Sequence, residues 1–245
     1  MTQTGDAKPV ALGRAVRRLA RAADRAALAS TLADGRPYVS LVLLAWDFDG
    51  APLLLLSDLA EHSRNLARDP RQALLIDGTS GLADPLAGPR ASLIGKAGPI
   101  KDDRLLARFL ARHPSAETYA GFADFKLYRV ALERAHFVAG FGRIAWIEAK
   151  HLELAGDFSA LAQAEGPILA AMNGDRQGEI ERILKQGPGW RMTGLDPEGA
   201  DFRRAGETAR VDFAERVLDT EAALSALANA ACSEGTTSSQ PIQSP

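Results

Sequence analysis

Residues 26–57 read "AALASTLADGRPYVSLVLLAWDFDGAPLLLLS", three apolar runs separated by two short turns. Both turns carry Asp-Gly, a pair that tolerates the positive φ angles of tight hairpins, and the flanking runs are rich in Leu, Val and aromatic residues. "ADGR" (33–36) joins "AALASTL" to "YVSLVLLAWDF", and "DFDGAP" (47–52) leads into "LLLLS". This order dictates an antiparallel meander of at least three strands. A short polar helix follows at about 61–68, and "QALLID" (72–77) and "RASLIGKAG" (90–98) are further strands across a Gly/Pro-rich loop. Residues 101–112 form a helix with Leu105, Leu106, Phe109 and Leu110 on its buried side. Residues 124–149 read as strand, short turn, strand, a Gly-bounded bend at "GFG" and a last short strand. Six or more short antiparallel strands with helices between some of them predict a small barrel.

Before the meander, residues 10–25 form an amphipathic helix. Leu12, Val16, Leu19 and Ala23 make one apolar stripe, and Arg14, Arg17, Arg18, Arg21 and Arg25 make a basic face expected in solvent. Residues 151–160 read as a linker, and 161–232 as a smaller α+β unit with strands around the turn "DPEG". The expected divisions are therefore a helix over 1–24, a barrel over 25–150, the linker, the small unit and a disordered polar tail over 233–245.

The 245 residues are 46% hydrophobic with a net charge of −2, so nucleic acid or an anionic membrane is not the expected partner. No apolar run approaches the ~20 residues that span a bilayer. The start "MTQTGDAKPV" lacks the apolar core of a secretory signal, so the expected location is the cytoplasm. A single cysteine, Cys232, excludes an internal disulfide framework. The four histidines, His62, His113, His136 and His151, are too scattered for a helical metal site, and no metal ligand set is expected. GxSxG, Walker and GxGxxG signatures are absent.

The order "RPYVSLVLLAWDFDGAPLLLLSDLAEHSRNLARDPRQALLID", "GKAGPI", then "DFKLYRV…AHFVAGFGRIAWI" resembles the FMN-binding split-barrel superfamily of the pyridoxamine 5'-phosphate oxidases. Within it the chain is most similar to the HugZ-type haem-utilisation branch. "AAMNGDRQGEI…GLDPEGADFR…ARVDFAERV" resembles the small α+β domain that follows the barrel there. The resemblance covers roughly residues 25–230. It implies a predominantly β split barrel with helices, a small C-terminal α+β domain, and a homodimer with FMN sites at the subunit interface. It further implies a flavoprotein, an oxidoreductase or haem-degrading oxygenase-like protein. The alternatives are a non-catalytic haem or flavin storage protein and a degenerate barrel with a structural or regulatory role.

In that architecture the flavin phosphate lies near the end of a strand and the start of the next helix, where "SDLAEHSRN" falls. The resemblance implies cofactor contacts from Ser40, Ser57, His62, Ser63, Arg64, Asn65, Lys96 and Arg129. If Ser63 is the N-cap, the amides of Arg64 and Asn65 can face a phosphate. If Asp58 caps the helix with Glu61, the segment is a plain capped helix whose carboxylate repels phosphate. His62 is either a contact or a half-exposed helical histidine, and Ser40 and Lys96 are either contacts or solvated strand residues. Arg129, a charge in an apolar strand, needs a carboxylate or an anionic ligand. His136 either packs at a turn or approaches iron. No catalytic residue is assigned.

One departure weakens haem as a cofactor. The branch reads roughly "MNADH" where this chain has "MNGDRQG", with Arg176 in place of the histidine, and no histidine follows His151. Arginine is permanently protonated and cannot ligate iron. If haem binds, its iron is held by an earlier histidine or by none.

Overall fold

The structure, a computed structural model, describes residues 7–140, 142–232 and 237–240. The chain divides into two compact units between Leu154 and Ala155.

The first unit opens with α1 (Ala7–Ala22), followed by β1 (Arg25–Thr31) and β2 (Pro37–Leu43). The turn between these strands depends on Gly35 at φ +85, and the next on Gly50 at φ +94, where a side chain would be strained. β3 (Ala45–Trp46), β4 (Pro52–Ser57), α2 (Glu61–Arg68), β5 (Arg71–Asp77) and β6 (Pro89–Ile100) come next. They are followed by α3 (Asp103–Arg112), α4 (Glu117–Ala120), β7 (Phe125–Ala139), β8 (Ile144–Glu148) and α5 (Ala149–Leu152). The strands form one antiparallel sheet in the order β2-β1-β5-β6-β7-β4-β3, with β8 also on β7. This is the split barrel with helices.

β7 carries the closure. It pairs β6 along its length, while its other edge is shared: β4 takes residues 125–129 and β8 takes 134–138. The turn expected within 124–149 is absent. In its place a bulge between Ile94 and Gly95 leaves Glu133 as the extra residue, which resets the alternation without ending the strand. His136 consequently lies mid-strand, not at a turn.

The inward faces of the strands gather Leu28, Val42, Leu54, Leu74, Ile76, Leu93, Val130 and Phe137 with Val16 and Ala20 of α1. Each such side chain contributes about 1.5–3 kcal/mol on burial. α1 therefore belongs to the barrel core and is no separate N-terminal domain. A second cluster lies where α3 covers the outer side of β3, β4 and β7, with Leu53, Leu105, Phe109 and Leu127.

The basic face is solvated at Arg14, Arg18 and Arg25 as expected, but Arg17 and Arg21 are buried. Arg17 donates to the carbonyl of His151 and Arg21 to that of Phe48. From α3, Arg108 donates to the Trp46 carbonyl, and Arg112 to those of Arg21 and Ala23. The next residue, His113, meets the Leu44 carbonyl through Nε2 at 2.7 Å. These side chains tie α1, α3 and the β3–β4 hairpin together through backbone oxygens. The expected linker begins as the last turns of α5, and the break between units comes just after it.

The second unit comprises α6 (Ser159–Asn173), α7 (Gln177–Leu184), β9 (Arg191–Asp196), β10 (Gly199–Arg204), β11 (Glu207–Asp212) and α8 (Thr220–Cys232). Its three strands form an antiparallel meander around the "DPEG" turn. Asn173 and Met192 exchange two hydrogen bonds of 2.8 Å that fasten α6 to β9. Arg210 is buried and bonded to Asp196 and Asp201. Arg176 forms a two-pronged bond with Glu179 at the start of α7. Most of the tail expected to be disordered lies outside the described residues, but Thr237–Gln240 forms β12 on the edge of β11. An edge strand with an open ladder accepts such an addition without regard to side-chain polarity.

Candidate functional site

The segment after β4 is set by a turn and then by an uncapped helix. Ser57 Oγ donates to Asp124 Oδ2 at 2.5 Å and accepts from the amide of Leu59 at 3.1 Å. Asp58 pairs with Lys126 at 2.6 Å. The N-cap of α2 is Ala60, neither Ser63 nor Asp58, and it places no side-chain oxygen on the helix. The backbone turn closed by Ala60 N–H on the Ser57 carbonyl starts the helix there. Asp58 is held by Lys126 outside the cap, and Ser63 falls within the first turn. The amides of Ser63 and Arg64 are taken by the Ala60 carbonyl at 3.2 and 3.3 Å and Asn65 lies further along the helix, so the expected Arg64 and Asn65 amides do not face a phosphate. Only the amides of Glu61 and His62 are left for water or a ligand, with the positive end of the helix behind them.

Ser63 is 3% exposed and its Oγ has no hydrogen-bond partner. A buried hydroxyl in that condition costs about 1–3 kcal/mol unless something supplies the bond. Beside it, the Arg64 side chain is 58% exposed, with only Glu61 at 3.5 Å as an ion-pair partner. That contact partly offsets the one carboxylate at the helix start. Asn65 is fully buried and spent on structure, donating to Ser30 Oγ at 3.0 Å and accepting from Arg68 at 2.5 Å.

His62 faces β2. Its Nδ1 lies 3.0 Å from Ser40 Oγ, and burial pushes its pKa down, so the ring is neutral at pH 7. Nε2 makes no hydrogen bond and is not sealed from solvent.

Four of the eight expected contacts, Ser40, His62, Ser63 and Arg64, are thus brought to the start of α2 with polar capacity left over. The other four are occupied elsewhere. Ser57 and Asn65 hold the turn and the helix. Lys96 pairs with Glu133 at 3.5 Å on the exposed side of β6. Arg129 finds its carboxylates within the chain, Asp49 and Asp47 of the β3–β4 turn.

Two residues escaped sequence reading. Ser30 is buried against Asn65, and Gln72, 5% exposed, has no partner on either end of its amide. The register that pairs Ala29 with Ala73 carries Ser30 toward Gln72 one residue further on. Both follow the inward alternation of their strands, Ala26-Leu28-Ser30 and Gln72-Leu74-Ile76. That alternation was the available signal, because a polar residue on an inward position needs an explanation.

A cavity under α1, lined by Val16, Trp46, Leu93 and Leu132 among others, measures about 10 Å3. It has room for about one water and none for a cofactor.

The outer face of the sheet away from α3 is open. Successive pairings align Leu41, Ala27, Leu75, Ser92, His136 and Trp146 in one row across five strand junctions. Leu41 is 71% exposed, Leu75 45% and Trp146 54%. His136 lies against the Trp146 ring at 4.8 Å, and the Arg134 guanidinium is 4.6 Å from the same ring.

Among the described residues no helix is long and apolar enough to cross a membrane. Residues 12–139, just over half of the chain, match the pyridoxamine 5'-phosphate oxidase family. The chain is 31% identical over 160 residues to the chloroplastic heme oxygenase HOZ of Arabidopsis thaliana, a match covering 62% of this chain. The match covers 48% of HOZ, so the chain spans about half the length of that curated relative. A crystal structure of a protein of unknown function from Agrobacterium tumefaciens superposes with a TM-score of 0.76 at 28% identity, covering 93% of this chain and 98% of that one. A heme binding protein from Mycobacterium smegmatis superposes with a TM-score of 0.55 at 27% identity, covering 95% and 98%. The resemblance to the haem-utilisation branch is borne out by these relatives. With its barrel strands, its uncapped helix after β4 and this match across residues 12–139, the chain belongs to the pyridoxamine 5'-phosphate oxidase family.

Proposed function

We propose that this protein is a haem-handling member of its family that holds an anionic arm of the cofactor at the start of α2. The observation that carries this reading is the buried, unpartnered Ser63 hydroxyl beside the uncapped amides of Glu61 and His62. A carboxylate arm accepts from both, and Arg64 supplies a charge-assisted bond from the rim. The haem-named relatives support haem as the cofactor, and the neutral ring of His62 suits it. When bound, haem supplies the electron and oxygen chemistry, and the class of activity proposed is oxidoreduction. The chain's own residues bind the arm, orient the ring and keep part of the site from water.

A second reading, an FMN-dependent oxidoreductase, is favoured by the same helix start, because a flavin phosphate meets the same amides and hydroxyl. Either way the protein acts as a homodimer, formed through the open apolar face of Leu41, Leu75 and Trp146. An exposed apolar row on a folded sheet marks an interaction surface.

The test is the visible spectrum of the purified protein during titration with haemin and, separately, with FMN, with light scattering on the same samples. A shifted Soret band at micromolar haemin in a dimer is the expected result. Retained flavin absorbance with no Soret shift selects the second reading, and no bound chromophore in either titration refutes both. A monomer at micromolar concentration removes the dimer.

A further inference from the structure

We infer that His62 is the side chain this protein offers to haem iron, through Nε2, with Ser40 as the residue that positions its ring. The inference rests on the haem reading above. It names a ligand where the small domain has none, since Arg176 is bonded to Glu179 and no histidine follows His151.

The argument is one of nitrogens and their partners. An iron-ligating histidine presents one ring nitrogen to the metal and anchors the other through a hydrogen bond, which fixes tautomer and orientation. His62 meets both conditions. Nδ1 lies 3.0 Å from Ser40 Oγ on β2, and with its proton there it donates to that hydroxyl. Nε2 is then the lone-pair nitrogen, without a hydrogen bond and reachable from outside. A hydroxyl partner leaves the imidazole neutral, whereas a carboxylate would draw it toward an imidazolium or imidazolate.

The other histidines lack this arrangement. His113 is sealed in the arginine cluster, with Nε2 on the Leu44 carbonyl and its ring 4.9 Å from that of Phe109. His136 lies mid-strand on the open face with its ring on Trp146. His151 is on α5, and among the described residues no hydrogen bond anchors either nitrogen of its ring. The unbonded ring nitrogen of His62 and the buried, unbonded hydroxyl of Ser63 sit on consecutive residues of one helix start, about 100° apart around its axis.

The experiment is resonance Raman spectroscopy of the full chain loaded with haemin and reduced with dithionite, which reads the iron–imidazole stretching band directly. Wild type is expected to show the band. His62→Ala is expected to lose it, to bind haemin at least about tenfold more weakly, and to regain the band with millimolar imidazole. Ser40→Ala is expected to keep the band at a lower wavenumber and to lose about tenfold in haemin affinity, the low end of the 10–100-fold range for partners of metal ligands. Should His62→Ala fail to fold, His62→Gln retains a group that reaches Ser40 and makes the same test.

A band that persists without His62, or that vanishes in His136→Ala, overturns the assignment and leaves the haem reading standing. Haemin uptake by wild type without any iron–imidazole band has the same consequence. No Soret shift in wild type removes the haem reading and the ligand together.

Discussion

Two polar clusters in the barrel unit are buried to similar depth and finished differently. Around α1 and α3, Arg17, Arg21, Arg108, Arg112 and His113 reach backbone carbonyls across long sequence separations. Around α2, Ser63 and Gln72 are buried with no partner, and His62 keeps one ring nitrogen open. Buried polar groups are nearly always bonded in folded proteins. The first cluster keeps a few buried nitrogens without a hydrogen bond, Nε and Nη1 of Arg21 and Nε of Arg112, but each of these side chains still ends on a carbonyl of the chain, which is architecture. The Ser63 hydroxyl and the Gln72 amide make no bond at all, and they await a ligand or a second subunit. The same residue types, polar side chains on inward positions, therefore carry opposite meanings.

The sharpest way to break this contrast is to remove a member of the bonded cluster. Arg112→Met strips a charged donor from the carbonyls of Arg21 and Ala23, at 2.8 and 2.9 Å. The Ala23 carbonyl keeps its bond from Trp46 Nε1, so at about 1–3 kcal/mol for a lost charged donor the loss of stability is expected to be about 1–3 kcal/mol. A urea midpoint unchanged from wild type, at equal slope, would mean that these bonds hold nothing together.

Ser63→Ala is expected to behave in the opposite manner. It removes an unsatisfied hydroxyl, so stability holds or rises by up to about 1 kcal/mol. Binding of the anionic cofactor weakens by about tenfold or more, the loss of one bond to a charged group. The comparison collapses if denaturation shows Ser63→Ala destabilised while its haemin or FMN affinity is unchanged.

How much of this was legible in the sequence follows the same division. The meander, its Asp-Gly turns and the α+β second unit depend on local rules of turn chemistry and alternation, and they fold as read. Position within α2 did not follow. Ser63 and Asp58 are both good caps, but the backbone turn closed on Ser57 starts the helix at Ala60, and turn geometry of that kind is set by Asp124 more than sixty residues away. Arg17 and Arg21, two of the five arginines in the basic stripe, were misread for a related reason. An arginine's burial depends on carbonyls presented by other elements, and no periodicity within the helix reports them. Ser40 and His62 are 22 residues apart, and their contact exists only because β2 and α2 meet in the folded unit.

A smaller effect is expected at Gln72. Gln72→Leu replaces an unpartnered buried amide with an apolar side chain of similar size, in a strand that already turns Leu74 and Ile76 inward. The isolated subunit gains about 1 kcal/mol if the amide is an uncompensated cost. If a second subunit or a cofactor supplies its bonds, the variant loses stability instead, and the loss disappears on dilution or in the cofactor-free protein. Thermal melts at two concentrations, with and without haemin, separate the two outcomes.

The finest test lies at the edge of the bonded cluster and appears only in acid. Burial alone would raise the pKa of Asp47, but the hydrogen bond from Arg104, the amide of Phe48 and the charges of Arg104 and Arg108 outweigh it and hold the carboxyl below its ordinary value of 3.8. A carboxyl depressed by folding contributes stability that is present above the unfolded value and is lost as pH falls through the folded one. Asp47→Asn keeps an oxygen for Arg104 while removing the charge. It should be less stable than wild type near pH 7, and the two stability curves should converge as the pH falls below about 4. Curves that run parallel down to pH 2 would show that Asp47 acts through shape alone. The charge on Arg104 and Arg129 would then be balanced elsewhere in the turn, with Asp49 as the remaining carboxylate on Arg129.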